Sequence, residues 1–145
     1  MFSADIIYIG QDLCLLTVMV DITERKQAEE ALRESQSLYH SLVEVSPLSI
    51  CRKDLTGRFT FANRRFLGLS QITLTDLVGK TDFDLHPSEL AEKYRRDDKA
   101  IIDSGQVQEL IEERAIIGDE SIMVQSIKTP IYDGTGKVNG IQISF

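Results

Sequence analysis

The sequence is poor in the residues that build several common kinds of site. Its 145 residues include no tryptophan, two cysteines, two histidines and three prolines. Cys14 and Cys51 each stand alone, neither in a closely spaced pair nor near a suitably placed histidine, so their spacing indicates neither a zinc site nor a disulfide framework. We therefore expect no metal site and a reducing compartment.

Long apolar runs are also missing. The longest, Leu13 to Val20, lies between Asp12 and Asp21 and is far shorter than the roughly 18 residues that a membrane span needs. The N-terminus has neither the basic region nor the cleavage site of a signal peptide. These features predict a soluble, cytoplasmic chain with no direct membrane contact.

Positive charge is the third scarcity. Lys and Arg number 16 against 23 Asp and Glu, which gives a formal net charge of -7. An acidic chain is repelled by a phosphate backbone, so we expect no nucleic-acid partner. Hydrophobic residues make up 42% of the chain, which is enough to bury the core of one domain.

Two elements are predicted at the N-terminus. Residues 6–20 alternate around Gly10-Gln11-Asp12 and predict a hairpin, which pairs with the rest of the chain or another copy, or is the remnant of an upstream domain. Residues 24–45 contain neither Gly nor Pro and predict a helix, with the Thr23 hydroxyl as its cap.

The predicted helix carries a narrow apolar stripe. Its members follow spacings of four, seven and three residues: Ala28, Leu32, Tyr39 and Leu42. Such a stripe is typical of a short coiled coil and favours a homodimer. The alternative, which the sequence leaves open, is a single amphipathic helix that packs on its own domain.

The remaining residues alternate between strand and helix patterns. Strands are predicted at 48–53 and 58–62, short helical turns over 63–77, a helix from Pro87 to about Ser104 with Gly105 as its stop, and strands at 107–116, 121–129 and 137–145. This order predicts an α+β fold with one antiparallel sheet and helices on one face. A weak repeat relates Leu16, Val18 and Val20 to Ile141, Ile143 and Phe145, 125 positions later.

Several segments resemble the PAS family of bacterial sensor proteins. Residues 21–26, Asp-Ile-Thr-Glu-Arg-Lys, resemble the junction that closes one PAS domain and opens the helix to the next. Residues 54–63 are similar to the first PAS hairpin and residues 78–87 to the region of short helices; the resemblance covers residues 38–145. It implies a five-stranded antiparallel sheet with short helices and one longer helix on one face, preceded by a linker helix.

The same resemblance implies a domain organisation. Residues 1–21 would be the last hairpin of a preceding PAS domain, residues 22–45 a linker or coiled-coil helix, and residues 46–145 the PAS domain. Another junction of the Asp-Ile-Thr type would be expected just after Phe145. Asp21 and Thr23 would form the joint between the upstream sheet and the linker helix.

The resemblance also implies a function. The chain would be a sensory and dimerisation module that relays a signal through its flanking helix to a histidine kinase or diguanylate cyclase domain elsewhere in the parent protein. It would form a homodimer through the linker helix and sheet edges, beside neighbouring PAS and output domains. No catalytic constellation is present, so we expect the module itself not to be an enzyme.

The alternative function is a sensor that binds a small ligand or cofactor, such as haem, flavin or a carboxylate, between sheet and helices. The residues that could line this pocket, or equally fill it as core, are Phe61, Phe66, Phe83, Leu90, Tyr94, Ile111 and Met123. His86 is the candidate haem ligand, but its place before Pro87 favours local packing. Residues 63–67, Asn-Arg-Arg-Phe-Leu, have arginine where a flavin-adduct motif has cysteine, so we expect no covalent adduct.

Overall fold

The computed structural model describes residues 2–115 and 121–145, and the chain divides into two compact units, Met1–Ser41 and Leu42–Phe145. The first unit contains a two-stranded antiparallel sheet of β1 (Phe2–Ile9) and β2 (Asp12–Met19). The strands turn at Gly10, whose φ of 69° is one that glycine adopts without strain. The predicted hairpin is confirmed.

Helix α1 (Thr23–Glu44) follows the hairpin, as the run without Gly or Pro predicts. The predicted cap is wrong in one respect. Thr23 is already helical, and the carboxylate of Asp21 accepts a hydrogen bond of 2.9 Å from the Thr23 backbone N–H. A carboxylate suits this place because the first N–H groups of a helix have no partner within it.

The second unit is a five-stranded antiparallel sheet with helices on one face. Its strands are β3 (Ile50–Asp54), β4 (Phe59–Ala62), β5 (Gln108–Ala115), β6 (Ser121–Tyr132) and β7 (Val138–Ser144), in the order β4-β3-β7-β6-β5. Between β4 and β5 lie α2 (Arg64–Ser70), α3 (Leu74–Leu77), α4 (Asp82–Leu85) and the longer α5 (Ser88–Ser104). The predicted α+β class and sheet are confirmed.

The element boundaries differ slightly from the sequence prediction. Pro87 precedes α5 instead of forming its first turn, while Gly105, with φ of 64°, ends the helix as expected. Strand β6 continues past residue 129 to Tyr132 because Pro130 is accommodated in the ladder opposite Ile141. The sequence also predicts a turn at Gly118-Asp119, between the strands predicted at 107–116 and 121–129, and this turn lies outside the described residues.

The core lies between the sheet and the helices. It contains two phenylalanines whose ring centroids are 6.0 Å apart, Phe59 on β4 and Phe66 on α2. The other buried members are Cys51, Ala62, Leu77, Ile101, Ile141 and Ile143. On β7 the two members of this set, Ile141 and Ile143, occupy alternate positions, so one face of the strand is covered and the other is open.

The N-terminal hairpin repeats the pairing register of the last hairpin of the sheet. Adding 125 to both residues of a β1–β2 pair gives a β6–β7 pair: Phe2 with Met19 corresponds to Ile127 with Ser144, and Ile6 with Leu15 corresponds to Ile131 with Gly140. The three pairs between these also correspond. This is the offset of the weak sequence repeat.

Candidate functional site

A cluster of charged side chains is buried between the sheet and the helices. The Lys53 ammonium on β3 lies 2.6 and 2.8 Å from the two carboxylate oxygens of Asp82 on α4. It also donates a hydrogen bond of 2.8 Å to Asp98 on α5. All three side chains are at most 2% exposed, so the ammonium sits between two carboxylates in a place that water does not reach.

A second lysine extends the cluster toward β5. The Lys128 ammonium on β6 donates a hydrogen bond of 2.9 Å to the other oxygen of Asp98, and lies 3.8 Å from the Glu112 carboxylate. Glu112 is also buried, and the half-exposed Lys93 of α5 lies 3.8 Å from it. Asp98 therefore bridges two buried lysines, and Glu112 lies between one buried and one accessible lysine.

The local sequence places each of these groups. Lys53 shares the inward face of β3 with Cys51, and Lys128 shares that of β6 with Ser126. Asp98 lies between Tyr94 and Ile101 on the buried side of α5. At the start of α4, the Asp84 carboxylate accepts hydrogen bonds from the N–H and hydroxyl of Thr81, which anchors the turn that carries Asp82.

The pairing keeps Lys53 and Asp98 ionised. Burial by itself acts to lower the pKa of Lys53, but attraction by Asp98 and Asp82 outweighs it and raises that pKa above the ordinary 10.5. Burial acts to raise the pKa of Asp98, yet Lys53 and Lys128 hold it below the ordinary 3.8. The interior of the domain is thus charged at neutral pH.

Two ring systems border the cluster. Tyr94 of α5 is buried, and the centroid of its ring lies within 6.0 Å of the Lys53 and Lys128 ammonium nitrogens. Its hydroxyl donates a hydrogen bond of 2.8 Å to the Glu113 carbonyl. The half-buried ring of His86 packs edge-on against Tyr94 at 5.4 Å. This is the local packing that its place before Pro87 favours, and His86 as a haem ligand stays a prediction.

The structure separates the residues predicted to line a pocket. Phe66 and Tyr94 are buried and Leu90 is half-buried on the helical side, whereas Phe83 of α4 is exposed. Ile111 and Met123 are 77% and 68% exposed on the open face of the sheet. Side chains alternate between the two faces along a strand, so Ile111 faces away from its buried neighbour Glu112, and Met123 faces away from buried Ser126, three residues later. Phe61 pairs with Arg52 on that same open face. The structure does not bring these last three to the helical side.

Sequence reasoning missed the charged cluster altogether. A lysine at an inward strand position and an aspartate within the apolar stripe of a helix each look like an error in the hydrophobic pattern. Both occur here, at Lys53 and at Asp98 between Tyr94 and Ile101. Two such violations of opposite charge are the signal that would have indicated a buried ion pair.

A second constellation holds the last turn of α1, which lies within the second unit. The buried side-chain amide of Asn63 donates hydrogen bonds of 3.0 Å to the Val43 carbonyl in the last turn of α1 and of 2.8 Å to the Leu48 carbonyl. Its oxygen accepts bonds of 3.0 Å from the N–H groups of Ile50, at the start of β3, and Phe66, in the first turn of α2. One side chain thus binds α1, β3 and α2 together.

A reciprocal contact runs from α1 to α2. The Glu44 carboxylate, at the end of α1, accepts a hydrogen bond of 3.0 Å from the Arg64 N–H at the start of α2. Asn63 and Glu44 each use a side chain to satisfy a terminal backbone group of the other helix. We call this pair of contacts, Asn63 to Val43 and Glu44 to Arg64, the α1–α2 clamp.

The end of the sheet lies beside the clamp. Ser49 and Phe145 exchange two backbone hydrogen bonds of 2.8 and 3.1 Å, and Ile50 pairs with Ser144. The Phe145 ring packs against Phe66 with a centroid distance of 6.1 Å. The segment that leaves α1 and Phe145, the residue that follows β7, therefore meet over the same core residue of α2.

The remaining predicted residues lie on α1 and its entry. Asp21 and Thr23 are in contact: hydrogen bonds from the Thr23 hydroxyl and N–H lower the pKa of the Asp21 carboxyl. The stripe residues are all exposed along α1: Ala28, Leu32, Tyr39 and Leu42. Their part in a dimer stays a prediction.

Two kinds of site are not found in the part of the chain that the structure describes. No group of three or more His, Cys, Asp or Glu side chains there is arranged to hold a metal ion. Over the same residues, no helix combines the length and apolar character that crossing a bilayer requires.

Comparison with known proteins identifies the second unit. A family described as the PAS fold matches residues 43–145. The C4-dicarboxylate transport sensor protein DctS of Rhodobacter capsulatus is 28% identical over 131 residues, a stretch that spans 88% of this chain and 20% of DctS. The chain thus corresponds to about a fifth of that relative.

Solved structures show the same fold. The PAS domain of Bordetella pertussis BvgS superposes with a TM-score of 0.64 at 18% identity, covering 76% of this chain and 83% of that one. VqmA bound to DPO gives a TM-score of 0.65 at 24% identity, covering 77% of this chain and 54% of VqmA. At these identities the likeness concerns the fold alone.

Proposed function

The chain belongs to the PAS fold family through residues 43–145, and we propose that it acts as a sensory module that reports the state of its core to α1. The observation that carries this proposal is the α1–α2 clamp. Phe66, which Asn63 holds at the start of α2, is also a core residue in contact with Phe59 and Phe145. A change in the core can therefore reach α1 through α2.

The physical argument is that the clamp joins two helix ends of opposite polarity. The carbonyl end of α1 meets the N–H end of α2, so the helix dipoles attract and the side-chain contacts on both sides fix their spacing. A displacement of α2 must break these hydrogen bonds or carry the last turn of α1 with it. Such a joint gives a relay the two-state element that it needs.

The proposal is tested by amide hydrogen exchange in α1 of the full chain. Phe66→Leu perturbs the core at α2, and we expect it to speed exchange in residues 38–44. Leu77→Val is the matched control, because Leu77 is equally buried in the same core but lies on α3, outside the clamp. Equal effects of both variants on α1, or none from Phe66→Leu, would contradict the relay.

A second arm isolates the clamp itself. In a Glu44→Ala background the carboxylate that holds the Arg64 N–H is missing, so Phe66→Leu should change α1 exchange by much less than it does alone. The non-additivity of the two substitutions measures the coupling. Additive effects would show that the core reaches α1 by another route.

For the domain organisation we propose the boundaries that the sequence predicts: a terminal hairpin of a preceding PAS unit at 1–21, a linker helix at 22–45 and the PAS domain at 46–145. The shared register at an offset of 125 supports the first assignment. In β6–β7 both outer edges are paired, with β5 and β3, whereas an isolated hairpin is marginal in water. We therefore expect amides of β1 and β2 to exchange far faster than those of β6 and β7.

For the parent protein we propose a cytoplasmic part of a signalling protein of the sensor kinase type, with α1 contributing to a homodimer. The similarity to DctS supports this reading of the parent. The alternative function, binding of a small ligand or cofactor, has its own support in the charged interior around Lys53, Asp98 and Lys128. The two functions are compatible, since a bound ligand is one way to change the state of the core.

A further inference from the structure

The charged interior contains more carboxylate than ammonium. Asp82, Asp98 and Glu112 are buried with two lysines, Lys53 and Lys128. The half-exposed Lys93 lies 3.8 Å from Glu112 and supplies the third positive charge. The cluster formed by these side chains is therefore balanced as it stands, with its most accessible cation already beside a carboxylate.

This balance disfavours an anionic ligand. The Lys53 ammonium is within 2.8 Å of three carboxylate oxygens and that of Lys128 within 2.9 Å of one, so the positive charge of each lysine is already compensated by a buried carboxylate. A further carboxylate would add a buried charge with no counter-ion, and a buried charge of this kind is unfavourable. A neutral polar group brings no such cost.

The β5–β6 end of the cluster has hydrogen-bonding capacity to spare. Among the described residues, Lys128 donates to one acceptor at hydrogen-bonding distance, although an ammonium has three donors. The Ser126 hydroxyl, two residues earlier on the same face of β6, is buried and bonds to no group in residues 2–115 or 121–145. Buried polar groups in this state generally hold a water molecule or a ligand.

We propose that Lys128, Ser126 and Glu112 form a subsite for a small neutral ligand that carries a carboxamide or an equivalent donor–acceptor group, and that the same cluster excludes small carboxylates. The ligand's oxygen accepts from Lys128 and Ser126, and its N–H donates to Glu112. The 3.8 Å between the Lys128 and Glu112 groups allows one polar group to bond to both. This inference rests on the proposed sensory function in one respect: it assumes that the module senses its signal in the interior of the domain.

The test compares lactamide with lactate, which differ in the amide and the carboxylate. Thermal unfolding of the full chain is followed at pH 7 with either compound, at ionic strength matched with sodium chloride. We expect lactamide to raise the Tm with concentration, by about 5 °C at ten times its Kd, and lactate to act no differently from the salt. Failure of lactamide would mean that the subsite holds water only and would overturn the proposal, as would an equal effect of lactate.

Matched serine variants locate the effect. Ser126→Ala should abolish the lactamide shift. Ser49→Ala should retain it, because Ser49 is equally buried, also lacks a hydrogen-bond partner for its hydroxyl in the described residues, and lies at the α1 end of the sheet beside Phe145. Retention of the shift in Ser126→Ala would place binding elsewhere and refute the subsite.

A gain of function tests the charge argument. Asp98→Asn removes one buried negative charge next to both lysines, so lactate should now raise the Tm of that variant. If Asp98→Asn does not fold, Glu112→Gln makes the same change in charge beside Lys128. Indifference of the folded variant to lactate would contradict the proposed exclusion by charge. None of these results depends on α1 exchange, so the ligand subsite and the relay fail separately.

Discussion

The side-chain amide of Asn63 donates a hydrogen bond of 3.0 Å to the main-chain carbonyl of Val43, 20 residues earlier in the chain. Val43 is the buried residue in the last turn of α1, and Asn63 caps α2. The relation means that the helix at the entrance of the PAS domain ends on a side chain of the domain itself.

Replacing Asn63 by aspartate tests this joint. Asn63→Asp keeps the oxygen that accepts from Ile50 and Phe66 but turns the donor toward Val43 and Leu48 into a second acceptor. We expect a loss of about 3 kcal/mol in unfolding free energy, because two carbonyls lose their donor and face a buried charge. Urea denaturation measures the change. Asn139→Asp, at an exposed position of β7, should change stability by less than about 0.5 kcal/mol.

Removing the buried ammonium should also be costly. Lys53→Met keeps much of the side-chain length but leaves Asp82 and Asp98 without their shared counter-ion. Breaking a buried pair in this way costs about 3–5 kcal/mol, measured as a lower urea midpoint. The control is Lys99→Met, whose exposed pair with Asp103 is worth under about 1 kcal/mol. Equal small effects would show that the interior tolerates unpaired carboxylates.

The buried charged groups Asp98 and Lys53, whose pKa values are shifted in opposite directions, make stability depend on pH. The pKa of Asp98 is lowered in the folded protein, so its contribution is present above the ordinary value of 3.8 and disappears as the pH falls through the folded value. The pKa of Lys53 is raised, so its contribution is present below 10.5 and is lost as the pH rises through the folded value. From these two groups we expect a stability plateau across neutral pH with a fall on each side.

One variant tests whether Asp98 causes the expected fall in stability at low pH. Asp98→Asn should be less stable than the unsubstituted chain at pH 7. The difference in urea midpoint should shrink as the pH falls below 3.8, where the Asp98 carboxylate of the unsubstituted chain is protonated in the unfolded state. A difference that stays constant with pH would mean that Asp98 contributes through packing and not through its charge.

The stripe on α1 predicts the oligomeric state. Leu32 and Leu42 are 60% and 61% exposed within one chain, and two aspartates at these positions would place charge in an apolar helix seam. We expect the double variant Leu32→Asp/Leu42→Asp to sediment as a monomer and the unsubstituted chain to sediment as a dimer. Ser37→Asp/Ser41→Asp adds the same charge on the opposite side of α1 and should remain dimeric. A dimer that survives the leucine changes would place the interface elsewhere.

Much of the fold could be predicted because its determinants are local. The alternation around Gly10, the run without Gly or Pro in α1 and the glycine that ends α5 each fix an element through a few neighbouring residues. The repeat at 125 positions came from three apolar residues and reappears as a shared strand register. Local pattern sufficed for the elements and, with the family resemblance, for their arrangement in the sheet.

The candidate site could be predicted only in part because strand phase and helix docking act over long distances in the chain. Apolar character suggested that Ile111 and Met123 face the helices, but their strands turn Glu112 and Ser126 inward, so they lie on the open face. Lys53 meets Asp98 across 45 residues and Lys128 meets it across 30. Nothing near either lysine in the chain indicates its partner.

The amino-acid pattern was therefore enough to determine which segments are helix or strand, since hydrophobic period and turn chemistry act over a few residues. The resemblance to the PAS family, which the match over residues 43–145 confirms, supplied their arrangement. Packing in three dimensions decided which charges share the interior and which side chain ends α1. These contacts join β3, β6, α4 and α5, or α1 and α2. Their geometry exists only once the helices have docked on the sheet, because a buried charge is tolerated only where its counter-charge is brought to it.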